Sequence, residues 1–142
     1  MPGSDPYQPD NIFAKVLRGE IPCHRIFDDD VALAFLDIMP QADGHTLVIP
    51  KLAVRGIFDV PADAWGPFMQ RVQKVAKAVH TAMSAGGLNL RQFDGAAGGQ
   101  TVFHFHVHII PRWEGVSLRR HGELMEKPDI LKANAEKIRA AL

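Results

Sequence analysis

The seven residues HFHVHII, from His104 to Ile110, decide the fold class of this 142-residue chain. Histidine alternates strictly with aromatic and β-branched residues, which is the pattern of a β-strand. In a strand the side chains at positions i, i+2 and i+4 point to one face, so the three imidazoles line the same side of a sheet. The intervening Phe105, Val107 and Ile109 point the other way, into a core.

Four more strands and three helices are predicted around this histidine strand. The five strands cover residues 23–27, 31–36, 44–50, 88–93 and 102–110. Helical spacing of apolar residues predicts helices over residues 12–18 and 61–85 and from residue 128 onward. Because proline is disfavoured in the interior of a helix, the long helix is predicted either to start near Pro67 or to kink there. Because the connections have hairpin length, the pattern favours an α+β domain with an antiparallel five-stranded sheet, a short N-terminal helix, one long central helix and a C-terminal helix.

Composition limits the class of protein. Apolar residues make up 46% of the chain and charged residues 23%, which argues against disordered, fibrous and membrane classes. The 16 basic residues balance 16 acidic ones, so a broad nucleic-acid-binding surface is not expected. No apolar run is long enough to span a bilayer or to form a signal peptide. Cys23 has no partner for an internal disulfide, which predicts a reducing, cytoplasmic setting.

The chain divides into three predicted parts. Residues 1–10 contain three prolines and no apolar run, and they predict a flexible tail. Residues 11–112 form the domain that contains all five strands. Residues 113–142 form an extension whose helix packs on that domain.

The histidine row has two functional interpretations and one without function. It can hold Zn or Fe, or one neutral imidazole can attack an electrophilic phosphorus while its neighbours bind the oxygens. A polar outer face of an edge strand is the alternative without function. The preceding segment GAAGGQT, residues 95–101, favours a phosphate ligand, because backbone N–H groups of small residues approach an anion closely and Gln100 and Thr101 add neutral donors.

With its His-φ-His-φ-His-φ-φ motif, in which φ is apolar, the chain resembles the histidine triad (HIT) family, in its phosphoramidase-like, nucleotide-binding branch. The resemblance covers roughly residues 12–112. It includes Gly-Gln-Thr at 99–101, GHTLVIPK at 44–51 and AFLDI at 34–38. The resemblance implies a HIT-like fold and hydrolysis of nucleoside monophosphate derivatives, at a P–N or similar bond, through a nucleotidyl-histidine intermediate.

The resemblance also implies roles for single residues. His106 matches the nucleophile, and His108 matches the residue that binds the α-phosphate and assists the leaving group. His104 and His45 match flanking histidines that support this pair. Asp37 matches the carboxylate that accepts both ribose hydroxyls. The positions expected around the phosphate and the purine base are Gly99, Gln100, Thr101, Phe13, Val16, Phe35 and Ile38.

Family members are typically homodimers that share a sheet, and the regions of Leu90 and Val72 match that contact. Two other functions stay open from the sequence: a nucleotide-binding or scaffold protein with incidental hydrolysis, and a three-histidine metalloprotein. A purine nucleotide is the expected partner, and no nucleic acid or membrane is expected.

The chain departs from the family pattern at several positions. Many bacterial relatives hold a structural zinc where this chain has Asn11, Ala14 and Ala53, so no metal and no cofactor is expected. Phe93 and Asp94 replace the asparagines usual before the glycine loop. The three remaining histidines match nothing and are assigned to the surface: His24, His80 and His121.

Overall fold

A five-stranded antiparallel sheet with the order β1-β2-β3-β5-β4 organises residues 5–142, the part of the chain that the computed structural model describes. The strands are β1 (Arg25–Asp28), β2 (Ala32–Leu36), β3 (Thr46–Pro50), β4 (Gly87–Arg91) and β5 (Val107–Arg112). The helices are α1 (Ile12–Leu17), α2 (Trp65–Ala82) and α3 (Pro128–Ala140). This arrangement confirms the predicted α+β fold class.

The two faces of the sheet carry different layers. On one face α2 and α3 cover the larger apolar core, in which Val72 of α2 and Ile138 of α3 are fully buried beside Ile109 of β5. On the other face the short helix α1 places Phe13 and Val16 against β2 and β3. Because α1 is short, part of this second face stays open, and the side chains of His106 and His108 lie there.

The fifth strand begins later than the sequence predicts. The predicted range was 102–110, whereas β5 starts at Val107 and continues to Arg112. The ladder with β3 ends at the pair Val48–Val107. Before that point the N–H of Phe105 donates to the carbonyl of Val54 instead of to β3. The side chains of residues 105–108 nevertheless keep the predicted alternation, with Phe105 and Val107 in the core and the histidines on the open face.

The long helix begins near Pro67, which is one of the two outcomes that the sequence predicts. Ala62–Ala64 form a short 3₁₀ helix, and α2 starts at Trp65. Pro67 therefore lies in the first turn, where its missing N–H leaves no helical hydrogen bond unmade. Within the described residues, no helix has the length and apolar character needed to cross a membrane.

Candidate active site

A cavity of about 470 Å³ opens on the sheet face that α1 covers only in part. This volume lies in the usual range for small-molecule sites. Helix α1, the end of β2 and the histidine segment form its walls. Eight of the predicted site residues line it: Phe13, Val16, Phe35, Asp37, Ile38, Thr101, His106 and His108.

The apolar side of the cavity suits an aromatic ring. Phe13 contacts Phe35 edge-to-face, with ring centroids 5.5 Å apart, and Val16 packs in the same cluster. Ile38 is 42% exposed at the mouth. Phe13 also meets the His106 ring edge-on at 4.9 Å, so the apolar side adjoins the histidines directly. A planar base bound here would place its attached sugar and phosphate toward the imidazoles.

Backbone geometry fixes the tautomer of His106. Its Nδ1 lies 2.6 Å from the carbonyl oxygen of His104. A carbonyl only accepts hydrogen bonds, so Nδ1 carries the proton and donates it. The lone pair of the neutral ring is therefore on Nε2, which is the state that a nucleophilic imidazole needs.

A second chain of hydrogen bonds fixes His45 and His108. The backbone N–H of Gln41 donates to His45 Nδ1 at 3.0 Å, so the His45 proton is on Nε2. Nε2 of His45 lies 2.9 Å from Nδ1 of His108, which must then accept. The neutral His108 consequently carries its proton on Nε2. One backbone amide thus sets the direction of donation through two buried rings.

Burial keeps these imidazoles neutral. It lowers the pKa of His45 to about 3, with further lowering by His108, His121 and Arg91. It also lowers the pKa of His108 to about 3, with further lowering by His106, His121 and Arg91. Burial likewise lowers the pKa of His104 to about 4 and lowers the pKa of His106. At neutral pH the site therefore offers directed donors and lone pairs and no cationic histidine from this buried set.

Asp37 lies immediately after β2, beside the histidines. Its Oδ1 accepts the N–H of Met39 at 2.8 Å, and its Oδ2 lies 3.6 Å from His45 Nε2. Burial raises the pKa of the Asp37 carboxyl. Asp37 lines the cavity, and the Met39 N–H uses only one of the roughly four lone-pair positions of an ionised carboxylate. The carboxylate can therefore accept hydrogen bonds from two hydroxyl groups in the cavity.

His121 lies at the surface, as predicted, with its side chain 45% exposed, but it also lines the cavity, which was not predicted. Its Nε2 lies 3.4 Å from Asp37 Oδ2, and its ring stands 5.7 Å from that of His108. The segment that carries it is tied down by Arg119, which donates to Asp43, and by the N–H of Glu126, which donates to the carbonyl of Ile38. No sequence pattern predicts this contact, because it joins a loop to the end of a strand that is distant in the sequence.

Tyr7 is a second residue that sequence reasoning missed. Residues 1–4 of the predicted flexible tail lie outside the described part of the chain, but Tyr7 is docked, with its hydroxyl 2.6 Å from His104 Nδ1. The described end of the tail is therefore in contact with the domain. The one available signal is that this is the single tyrosine of the chain, placed in a polar segment.

The glycine loop makes different contacts from those expected. The N–H groups of Gly98, Gly99 and Gln100 donate to carbonyls of Gly95 and Ala96 within the same loop. The Gln100 amide donates to the carbonyls of Arg55 and Val102, and its oxygen accepts the N–H of Gly95. Neither Gly99 nor Gln100 lines the cavity. A phosphate contact from either would require this loop to rearrange, whereas Thr101 already faces the cavity.

Asp37, His45 and His108 are close enough together to be considered as metal ligands. One potential ligand atom from each lies within 4.8 Å of the others. The Gln41 N–H, however, places the His45 proton on Nε2, the nitrogen that faces this group, so that nitrogen donates and does not coordinate. Because His45 Nε2 donates to His108 Nδ1, neither of these two nitrogens offers a free lone pair to a cation.

The chain matches the family described as the HIT domain over residues 18–115. A curated relative, "Adenylylsulfatase HINT3" of Arabidopsis thaliana, is 38% identical in an alignment 130 residues long that covers 87% of this chain and 66% of the relative.

Solved structures agree with this match. A "Hit-like protein involved in cell-cycle regulation" from Bartonella henselae superposes with a TM-score of 0.90 at 50% identity, covering 96% of this chain and 100% of that one. A "hypothetical histidine triad nucleotide-binding protein" from Sulfolobus tokodaii superposes with a TM-score of 0.84 at 29% identity, covering 91% and 89%.

The lowered histidine pKa values predict that the fold loses stability in mild acid. The unfolded chain binds protons at its histidines from a pH of about 6.5 downward, whereas the buried histidines stay neutral to about 3 or 4. The free energy of unfolding should therefore have its full value above pH 6.5. Below it, each of the three histidines with a pKa of about 3 or 4 should lower the free energy of unfolding by about 1.4 kcal/mol per pH unit.

Urea unfolding at pH values from 8 to 5 measures this slope. The variant His106→Asn lacks one buried histidine and should show a shallower slope than the unmodified protein. A free energy of unfolding that stays constant from pH 7 to pH 5 contradicts the assignment of neutral, buried imidazoles.

Proposed function

Because the chain belongs to the HIT family, we propose that it hydrolyses nucleoside monophosphate derivatives at the α-phosphorus through a covalent nucleotidyl-His106 intermediate. Family membership and the adenylylsulfatase relative support a hydrolase-type activity on nucleotides. The observation that carries the covalent step is the bond from His106 Nδ1–H to the His104 carbonyl, which leaves the lone pair on Nε2 of a residue that lines the cavity.

In the first step, Nε2 of His106 attacks the α-phosphorus and forms a P–N bond. The bond from phosphorus to the leaving group breaks, and the leaving group departs with the electron pair. The attacking ring becomes cationic, and its Nδ1–H stays bonded to the His104 carbonyl, which stabilises that charge. His108 Nε2–H donates a hydrogen bond to the phosphate or to the departing atom, and the hydroxyl of Thr101 adds a second donor.

In the second step, water attacks phosphorus and the P–N bond breaks. The electron pair returns to Nε2 of His106, which regains its neutral form. One water proton is released to solvent. An anionic leaving group departs unprotonated, whereas an amine takes up one proton from solvent as its bond to phosphorus breaks, and the released water proton replaces it. The products are therefore the nucleoside monophosphate and either the anionic leaving group or the neutral amine. No metal ion is required for either step, since neutral donors and backbone carbonyls supply the stabilisation.

The remaining cavity residues would bind the nucleoside. Asp37 would accept the two ribose hydroxyls, and the apolar side formed by Phe13, Val16, Phe35 and Ile38 would hold the base; their place in the cavity lining supports both roles. The enzyme and a nucleotide-binding protein with incidental hydrolysis differ in rate. A kcat/KM within the usual enzyme range of about 10⁴–10⁸ M⁻¹s⁻¹ supports the enzyme, and a far lower value supports the binding protein.

Replacing the nucleophile tests the covalent step. His106→Asn should lower kcat on adenosine 5′-phosphoramidate by on the order of 10³-fold or more, because no group remains to form the P–N bond. Binding of AMP, measured by calorimetry, should survive, since the base and ribose contacts are intact. His80→Asn, a substitution on the exposed side of α2, is the matched control and should keep full activity. Full turnover by His106→Asn would exclude this nucleophile.

Asp37→Asn tests the ribose contact. Loss of a charged acceptor should weaken nucleotide binding about 10- to 100-fold, while Oδ1 can still accept the Met39 N–H and preserve the turn. A 2′,3′-dideoxynucleotide should bind the unmodified protein more weakly than the full nucleotide does, by a similar factor. The variant should bind the two nucleotides equally well. Independent, additive losses would show that the hydroxyls bind elsewhere.

We further propose that two chains assemble through the free edge of β4. This strand ends the sheet order, and Leu90 on it is 51% exposed, while Met69 on α2 is 40% exposed. Val72, which the resemblance placed near this contact, is fully buried in the core of the single chain and cannot itself meet a partner. An exposed edge strand with an apolar side chain is a common site of strand pairing between copies.

Light scattering after size exclusion checks this assembly. The unmodified chain should elute as a dimer, and Leu90→Arg should elute as a monomer, because the new charge cannot be buried at the edge. Leu52→Arg, at a similarly exposed leucine away from β4, should remain dimeric. A monomeric unmodified chain at micromolar concentration contradicts the proposal.

A further inference from the structure

We propose that Tyr7 is a positioning residue of the active site: its hydroxyl holds His104 in place, and through the His104 carbonyl it fixes the tautomer of His106. The consequence for catalysis rests on the proposed role of His106 as nucleophile. The structural part of the proposal stands on hydrogen bonds alone and can be tested without turnover.

The contact between the two side chains is short and enclosed. Tyr7 Oη lies 2.6 Å from His104 Nδ1, and the two rings meet edge-to-face with centroids 5.6 Å apart. His104 is fully buried, and Tyr7 is half-buried over it. Solvent therefore has little access to His104 Nδ1 while Tyr7 is in place.

Proton positions around His104 follow from its two partners. Its Nε2 lies 2.9 Å from the carbonyl oxygen of Pro50, so Nε2 carries the proton and donates. Burial lowers the pKa of His104 to about 4, so the ring is neutral at pH 7 and Nδ1 has only a lone pair. The Tyr7 hydroxyl must then be the donor to Nδ1. Without that hydroxyl, a buried acceptor would lose its partner.

The position of the His104 backbone depends on the two hydrogen bonds that its side chain makes. Residues 104–106 lie before β5 and take no part in its ladder with β3, which ends at the pair Val48–Val107. One neighbouring backbone bond, from the N–H of Phe105 to Val54, holds the segment. The bonds from the His104 ring to Pro50 and Tyr7 therefore supply much of what fixes the carbonyl that His106 Nδ1–H donates to.

The tail that carries Tyr7 is itself held against α1. Carbonyls of Gln8 and Pro9 accept hydrogen bonds from Asn11 and Arg18, and the Asn11 side chain caps the helix by accepting from the N–H of Ala14. This helix also carries Phe13, whose ring contacts His106. The tail, α1 and the nucleophile thus form one contiguous unit.

Tyr7 does not line the cavity, so it should act on the reaction and not on nucleotide binding. Tyr7→Phe removes the donor and keeps the ring. It should lower kcat about tenfold, the scale seen when a partner that orients a functional histidine is removed, with KM and the AMP dissociation constant changed less than twofold. Asp5→Asn is the control, because it removes another tail contact, 3.7 Å from Arg55, without touching His104.

Histidine ¹⁵N NMR at pH 7 supplies the readout that does not require turnover. In the unmodified protein, His104 Nδ1 should show the shift of an unprotonated, hydrogen-bonded nitrogen, and Tyr7→Phe should move it toward the value of a free lone pair. The signals of His106 should move as well, toward a mixture of tautomers. Asp5→Asn should leave both residues unchanged.

Three results would overturn the proposal. They are a Tyr7→Phe variant with unchanged kcat and unchanged His106 signals, a variant whose losses lie in KM alone, and an unmodified protein whose His104 Nδ1 is protonated. The last measurement decides the question even if Tyr7→Phe fails to fold. An unmodified protein without turnover but with the expected NMR response to Tyr7→Phe would reject the proposed hydrolysis and keep the positioning role.

Discussion

The site depends on the requirement that several imidazoles be buried side by side without charge. Each neutral ring has one N–H and one lone pair, so every neighbour of a ring determines where its proton lies. Here three backbone groups make that choice: the carbonyl of Pro50 for His104, the carbonyl of His104 for His106, and the N–H of Gln41 for His45. Only the last of the four rings, His108, takes its direction from another side chain.

Other parts of the fold can be understood as support for those three groups. Pro50 ends β3, so its carbonyl is available to His104 at the point where the sheet ladder stops. Gln41 lies in the turn between β2 and β3, which also presents Asp37. The core below, where Phe105 is fully buried beneath α2, anchors the residue between the first two histidines. The packed core on one face of the sheet thereby keeps in place the backbone groups that determine the proton positions on the other face.

Much of this was predictable from the sequence, for definite reasons. Strict alternation at residues 104–110 gave the faces of the histidine segment, because side-chain direction follows from a local period of two. The strands, the helices and the fold class followed from similar local periods. The start of β5 at Val107 did not, because it depends on where the partner strand ends and on the Phe105–Val54 bond, which is a tertiary contact. The contacts of Tyr7 with His104 and of His121 with Asp37 escaped for the same reason, since each joins residues that are far apart in the sequence. The bond from the Gln41 N–H to His45 is local, but it depends on the conformation of the turn between β2 and β3, which the side-chain period does not give. Gln100 looked like a phosphate donor from its neighbours in sequence, yet its amide bonds the backbone of three separate residues.

The most direct test of the account is the protonation state of the His106 ring in the free protein. Long-range ¹H–¹⁵N correlation spectra at pH 7, assigned with His106→Asn, report which ring nitrogen carries the proton. The account predicts a neutral ring with the proton on Nδ1 and an unprotonated Nε2 that responds to added AMP. An imidazolium, or a ring protonated on Nε2, would contradict it, since neither form has a lone pair on Nε2 for attack on phosphorus.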